Sequence, residues 1–211
     1  MRLVVIGTEY AGKTTLIDAL MEWGDSIGIH HHLDDHFSIP DRQFLSAEDQ
    51  RAMLAMPPII KERFQRFQIY YHVHVLQNHA DCLLGGFYIE AAIYGPRYYY
   101  PQNPWPPYQR TIEAELPQDT ILLLLTASPE AIRRRLREAP HADQIVPAED
   151  VEAVSAEFER EWRQSVLREK LRIDTTDLTP TQLLAEFQRR IVPFLDTRDL
   201  ARRQLLGVQA R

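Results

Sequence analysis

Leu3-Val4-Val5-Ile6-Gly7-Thr8-Glu9-Tyr10-Ala11-Gly12-Lys13-Thr14 is the stretch on which the reading of the whole chain turns. Leu3 to Ile6 is an apolar, largely β-branched run, too short for a helix, and reads as a buried strand. The residues behind it fit G-x-x-x-x-G-K-[ST] in full. An amphipathic segment from about Gly12 to Trp23 then reads as a helix, with Gly24 as its stop. Strand, glycine loop and helix start, in that order, make a phosphate cradle. The glycines let backbone N–H groups converge on phosphate oxygens, and the helix N-terminus adds partial positive charge. Lys13 is expected at the β- and γ-phosphates and the Thr14 hydroxyl at Mg2+. The nucleotide-binding set is therefore Gly7, Thr8, Glu9, Tyr10, Ala11, Gly12, Lys13, Thr14 and, one step into the helix, Thr15.

The composition limits what such a cradle serves. Of 211 residues, 24 are Lys or Arg and 30 are Asp or Glu, a net charge of −6. That balance argues against duplex nucleic acid as the main partner, because phosphate neutralisation needs a basic surface. An apolar content of 45% is too high for a disordered chain and suits one globular domain over residues 1–211. The lone Cys82 excludes an internal disulfide framework and fits a reducing compartment. No run approaches the roughly 18 apolar residues of a membrane span. Glu9 and Lys13 come too early for a signal peptide. The expectation is a cytoplasmic protein with no membrane and no nucleic-acid partner.

Beyond the loop, short apolar runs alternate with long amphipathic segments, the pattern of a parallel sheet covered by helices. Further strands are expected near Ile27 to Leu33, Cys82 to Ile89, Ile121 to Leu125 and Leu171 to Ile173. Ser46 with Asp49 three residues on reads as the N-cap of a short helix, which Pro57 and Pro58 break. A long helix is expected from about Ile59 to His79, with Phe64, Phe67, Tyr71, Val75 and Asn78 on a buried face. Helices are also expected near Tyr108 to Glu115 and from Pro147 to about Arg168. Ser128-Pro129-Glu130 and Thr179-Pro180 are N-cap-plus-Pro helix starts.

Several acidic and basic residues fit phosphoryl transfer. Asp34 and Asp35 follow the second strand, where a carboxylate can accept the proton of an attacking hydroxyl; the sequence does not separate the two. Glu90 ends the apolar run Leu83 to Ile89, the place of a carboxylate that orients Mg2+. Glu9 inside the phosphate loop is unfavourable beside polyphosphate unless it faces another group, such as a substrate hydroxyl. The helix after Ser128 carries Arg133, Arg134, Arg135 and Arg137, which cannot share one face; of these, Arg134 and Arg137 are expected at the transferring phosphoryl group. His30, His31, His32 and His36 lack the spacing of a closed zinc site.

These segments resemble the deoxynucleoside kinase and thymidylate kinase group of P-loop kinases. Gly7-Thr8-Glu9 resembles the Gly-x-Asp of thymidylate kinases. Phe67-Gln68-Ile69-Tyr70 resembles the Phe-Gln-x-Tyr of deoxynucleoside kinases, and the stretch Glu90 to Tyr98 resembles their Glu-Arg-Ser and Asp-Arg-Tyr motifs. Asp34-Asp35-His36-Phe37 is similar to the Asp-Asp-Phe of nicotinamide riboside and uridine kinases. The resemblance implies a P-loop NTPase fold, a three-layer αβα sandwich around a parallel sheet, with an Arg-rich lid near residues 133–147. It implies ATP and Mg2+ as cofactors, a small-molecule phosphate acceptor of nucleoside or nucleotide type, and a homodimer. Gln68, Tyr71 and Arg97 are then the expected acceptor-binding residues. The departures are Ala91 and Ala92 for the Arg and Ser of Glu-Arg-Ser, and Pro96 for the Asp before Arg97. They keep two rivals in play: a kinase for a non-nucleotide small molecule, and an NTP-binding regulatory ATPase with degenerate kinase motifs.

Overall fold

The computed structural model describes residues 1–26, 32–34, 46–101, 108–140 and 144–209. Strand β1 is Arg2–Ile6, and Leu3, Val4, Val5 and Ile6 have no solvent exposure. Helix α1 (Lys13–Ser26) follows the glycine loop and runs past Gly24, which is buried inside its last turns and does not stop it. Strand β2 (His32–Asp34) is followed by α2 (Ala47–Leu54), where Ser46 and Asp49 form the expected capping box. Helix α3 (Pro58–Asn78) leads back to β3 (Cys82–Gly85), and α4 (Phe87–Tyr94) passes into a π-helical turn over Gly95–Tyr99. Then come α5 (Gln109–Glu115), β4 (Thr120–Thr126), α6 (Pro129–Glu138), α7 (Val151–Gln164), β5 (Glu169–Asp174), α8 (Pro180–Arg190) and α9 (Thr197–Gln209). The last of these starts after Asp196, whose side chain accepts from the Asp199 N–H at 2.7 Å as an N-cap, and lies beyond the helix expected at Thr179-Pro180.

The strands form one five-stranded sheet in the order β2-β3-β1-β4-β5, every pair parallel. The chain crosses to opposite sides of β1, so the carboxyl end of that strand is a topological switch point where ligands settle. Side chains alternate between the two faces of the sheet. Val4, Ile6, Leu84, Leu122 and Leu124 pack beneath residues of α3 to α7. Leu3, Val5, Leu83, Leu123 and Leu125 pack with α1 and α8, chiefly through Leu16, Leu20, Leu183 and Phe187. These are the three layers expected. Each fully buried aliphatic side chain contributes roughly 1.5–3 kcal/mol, so the sheet is a stiff base for whatever its carboxyl edge carries.

Two further expectations fail here. The apolar run Cys82 to Ile89 is not one strand. Gly85 and Gly86 end β3; Gly86 (φ 71°) and Phe87 (φ 49°) then turn the chain straight into α4, which is buried nearly all round. An apolar run without periodicity fits a buried strand and a buried helix equally well. On α3 the buried face is also not the aromatic one. Glu62, Gln65, Ile69, His72, Val73 and Leu76 point inward. Phe64, Phe67 and Tyr71 lie outside, Phe67 being 77% exposed, and of the expected set only Val75 is buried.

Candidate active site

The phosphate loop is built by the end of β1 and the start of α1. Gly7 sits at φ 147°, and a Cβ there would lie 2.4 Å from the Leu125 carbonyl oxygen of β4. The loop passes that close to β4 because position 7 has no side chain. Gly12 is at φ 97° and Tyr10 at φ 62°, so the loop winds through left-handed conformations that turn its amides inward. The Ala11 N–H donates to the Thr8 carbonyl at 3.2 Å. No acidic residue occupies the first turn of α1, which leaves its positive end uncompensated from its own helix. Thr14 and Thr15 are exposed there.

Lys13 lies back along this loop. Its Nζ donates to the Gly7 carbonyl at 2.6 Å and the Thr8 carbonyl at 3.3 Å, pairs with Glu90 Oε2 at 3.1 Å, and stands 5.9 Å from the centre of the Phe158 ring. Glu90 thus meets the phosphate-loop lysine, but from the first turn of α4 and not from a strand end. Gly85 is the last residue of β3. Ala91, where the resemblance has an arginine, is buried in the core, so no cation takes that place from this helix position. Tyr94, fully buried on the same helix, accepts a hydrogen bond from the Glu9 N–H at 3.2 Å. Burial and the charges of Glu90 and Glu9 push its phenol well above the ordinary range.

Glu9 faces the α6–α7 connection. Its carboxylate accepts from the Ile145 N–H at 3.0 Å to each oxygen and from the Val146 N–H at 2.7 Å. Beside it, Tyr10 Oη donates to the Ala139 carbonyl at 3.2 Å.

Of the arginines on α6, the one brought to the phosphate loop is Arg135. It donates to the Tyr10 carbonyl at 2.9 Å, to Thr175 Oγ1 at 3.1 Å, and to the carbonyls of Thr175 and Thr176. Thr175, buried after β5, donates in turn to the Ala11 carbonyl at 2.9 Å. Burial, and secondly the neighbouring Arg134 charge, lower the Arg135 pKa. Arg134 and Arg137 are exposed, and among the described residues no contact places them at the loop. Arg133 pairs with Glu152. The signal for Arg135 was present in the sequence: Ala131 and Ile132 mark the inner face of α6, and position 135 shares it at helical spacing.

The acceptor-side expectations divide. Asp34 ends β2 in register with Leu84 of β3, at the same sheet edge as the phosphate loop. Asp35 falls outside the described residues. Gln68 is half-buried and Tyr71 is largely exposed, whereas Gln65 and Glu62, which the sequence reading passed over, are buried on the inward face. Because α3 runs back to the start of β3, its N-terminal turns, with Glu62 and Gln65, lie toward the carboxyl edge of the sheet. Arg97, on the π-helical turn, is engaged by Glu157 of α7, with Nε to Oε2 at 3.1 Å. That pairing raises its pKa. Among the described residues no group of three or more His, Cys, Asp or Glu could hold a metal, and no helix is long and apolar enough to cross a membrane.

Neither a family model nor a curated protein matches the sequence. Solved structures match the fold. The YorR protein of Bacillus subtilis, in complex with phosphorylated GDP, aligns at 14% identity and a TM-score of 0.61, over 93% of this chain and 99% of that one. Deoxyadenosine kinase from M. mycoides with bound dATP aligns at 15% identity and 0.61, over 90% and 99%. Thymidylate kinase from Candida albicans aligns at 13% identity and 0.51, over 90% of each chain. This chain shares the fold of nucleoside and nucleotide kinases. At such identities the likeness concerns the fold, and the activity has to be argued from the site.

Proposed function

We propose that the protein is an ATP-dependent phosphotransferase acting on a nucleoside, a nucleotide or a close analogue. The observation that carries the reading is the complete glycine loop at the switch point of a kinase-type sheet, with Lys13 held within it against Glu90. A triphosphate replaces the Gly7 and Thr8 carbonyls as partner of the Lys13 ammonium, while the loop amides take the phosphate oxygens. Thr14 and Glu90 are hard oxygen donors suited to Mg2+, which needs only one or two protein ligands beside substrate phosphates. Held by these two residues, Mg2+ would supply charge neutralisation at the nucleotide phosphates. Asp34 or Asp35 takes the proton of the attacking hydroxyl. Arg134 and Arg137 supply the positive charge of an Arg-rich lid, with Arg135 bracing the loop beneath. Gln68 on α3 reads the acceptor, with Tyr71 and Arg97 flanking, and Gln65 on the inward face of the same helix is the competing candidate.

The test is incubation with ATP–Mg2+ and a panel of nucleosides and nucleotides. ADP with a matching new phosphate ester is expected. Nucleotide binding without such a product from any acceptor would overturn the reading.

A second reading has its own support. Gly85 at the end of β3 and buried Ala91 leave the strand end without a carboxylate and the motif without its cation. A regulatory ATPase built on this fold would bind ATP and hydrolyse it slowly. The same assay separates it from a kinase by inorganic phosphate without an ester. A kinase for a non-nucleotide small molecule would show ADP formation only with acceptors outside the panel.

A further inference from the structure

We propose that Glu9 is a positioning residue for the lid, holding the chain at residues 145–146 against the phosphate loop and so fixing how α6, with Arg135, stands against that loop. The inference rests on the kinase reading above. A carboxylate in a phosphate loop is repelled by the polyphosphate it borders, so its presence calls for a counterpart. The counterpart is two consecutive backbone amides: the Ile145 N–H at 3.0 Å to both oxygens and the Val146 N–H at 2.7 Å to Oε2. Hydrogen bonds to an ionised acceptor are roughly twice as strong as neutral ones.

The placement of the contact gives it leverage. The Val146 side chain is buried in the core, with Ile145 packed against the same cluster, so the downstream end of the α6–α7 connection is anchored. At the upstream end, Tyr10 Oη donates to the Ala139 carbonyl at 3.2 Å and Arg135 donates to the Tyr10 carbonyl at 2.9 Å. Two adjacent loop residues, Glu9 and Tyr10, therefore hold both ends of the connection that follows the arginine helix. The backbone of Glu9 is itself fixed, its N–H donating to the buried Tyr94 hydroxyl at 3.2 Å. Any shift of the loop as it takes up phosphate is passed to the lid through these contacts. The assignment differs from a carboxylate that faces a substrate hydroxyl, because both Glu9 oxygens already accept from the lid backbone.

The test uses the full chain with E9Q and E9A. Amide hydrogen exchange at Ile145 and Val146 is expected to quicken at least about tenfold in E9A and less in E9Q, whose amide keeps one acceptor oxygen, with β4 amides unchanged as control. With ATP and the acceptor that the parent phosphorylates, kcat is expected to fall roughly ten- to a hundred-fold in E9A, the value of one or two charge-assisted hydrogen bonds, while KM for ATP moves by less than about threefold. Unchanged exchange at Ile145 and Val146 in E9A overturns the proposal, and so does faster exchange with parental kcat. A rise in KM with kcat intact would make Glu9 a nucleotide-binding residue instead. Failure of the kinase reading looks different: no variant, nor the parent, gives product, and the catalytic half of the proposal falls while the exchange data still decide the contact. If E9A does not fold, E9Q has the same shape and carries the same readouts.

Discussion

The phosphate side and the acceptor side of the candidate site are made of different material. On the phosphate side the working groups are backbone amides, carbonyls and one lysine, fixed by glycines whose absent side chains are the requirement: at Gly7 a Cβ would meet the Leu125 carbonyl at 2.4 Å. On the acceptor side the proposed groups are side chains on α3 and the π-helical turn, and their role depends on which way each is rotated. A loop defined by glycine spacing and a lysine is written in the local sequence. A surface defined by helix rotation is decided by tertiary packing, and two adjacent residues such as Phe64 and Gln65 end on opposite sides of that decision.

The sharpest way to break this comparison is Lys13→Ala. If the phosphate side rests on the loop, the variant loses roughly 10²–10³-fold in phosphoryl transfer, as for removal of one preorganised charge-stabilising donor, and ATP–Mg2+ no longer raises its melting temperature. A variant that transfers phosphate at the parental rate would remove the loop from the chemistry.

Stability probes the helix that stands behind Lys13. Glu113 is buried and collects the Tyr88 hydroxyl at 2.8 Å, the Val166 N–H at 2.8 Å and both of its oxygens' contacts with Arg110 at 2.6 Å. Arg110 also reaches Glu161 of α7 at 2.6 Å. This network ties α4 to α5 and α7 and so holds the helix that presents Glu90. Removing one partner of a buried ionic network costs about 3–5 kcal/mol. Glu113→Gln, which keeps the shape and loses the charge, is expected near the lower end of that range in urea unfolding. A loss below about 1 kcal/mol, the level of an exposed pair, would mean the network is surface-like and α4 is held by packing alone.

The same contrast explains what could be read in advance. The five strands, the three layers and the capping boxes at Ser46 and Thr179 follow from local signals, since short apolar runs and N-cap residues carry their meaning within a few positions. Glu90, expected at Mg2+ from a strand end, stands instead on α4 against Lys13, because Leu83 to Ile89 has no period to tell a buried helix from a buried strand. Arg135 was passed over for Arg134 and Arg137 because its inward direction is visible only beside Ala131 and Ile132. On α3 three aromatic residues, Phe64, Phe67 and Tyr71, outweigh the polar residues at helical spacing, Glu62, Gln65 and His72, although a polar group on an inner face is the rarer and more informative observation.

That lesson yields a direct comparison of two glutamines three residues apart. If burial decides which of them reads the acceptor, Gln65→Ala is expected to raise its KM about tenfold, the value of a hydrogen-bond pair whose buried partner is left unsatisfied. Gln68→Ala is expected to change it by less than about threefold. The reverse order would favour Gln68 as the reader and put the recognition surface on the outer, aromatic side of α3.

The smallest effect is expected at the opposite edge of the sheet, where neither half of the site reaches. Asp81, just before β3, pairs with the Met1 ammonium at 2.6 Å and with Arg202 at 3.0 Å, and Arg198 lies 3.5 Å away. Burial pushes its carboxyl upward, but the hydrogen bonds and charges of the Met1 ammonium, Arg202 and Arg198 prevail and hold it below its ordinary value. A carboxyl whose folded pKa is depressed contributes stability above its unfolded pKa, roughly 3.9, and loses it as pH falls through the folded pKa. Asp81→Asn should therefore be less stable than the parent at neutral pH, with the gap closing as the pH drops below about 4. ATP binding and turnover should be unchanged at neutral pH, since the carboxyl edge of the sheet keeps its own contacts. A gap that stays constant down to pH 2–3 would show that the variant acts through packing at the start of β3 and not through the charge of Asp81. A change in turnover would show that the two edges of the sheet are coupled, and that the division between a backbone-made and a side-chain-made half is too local an account of this site.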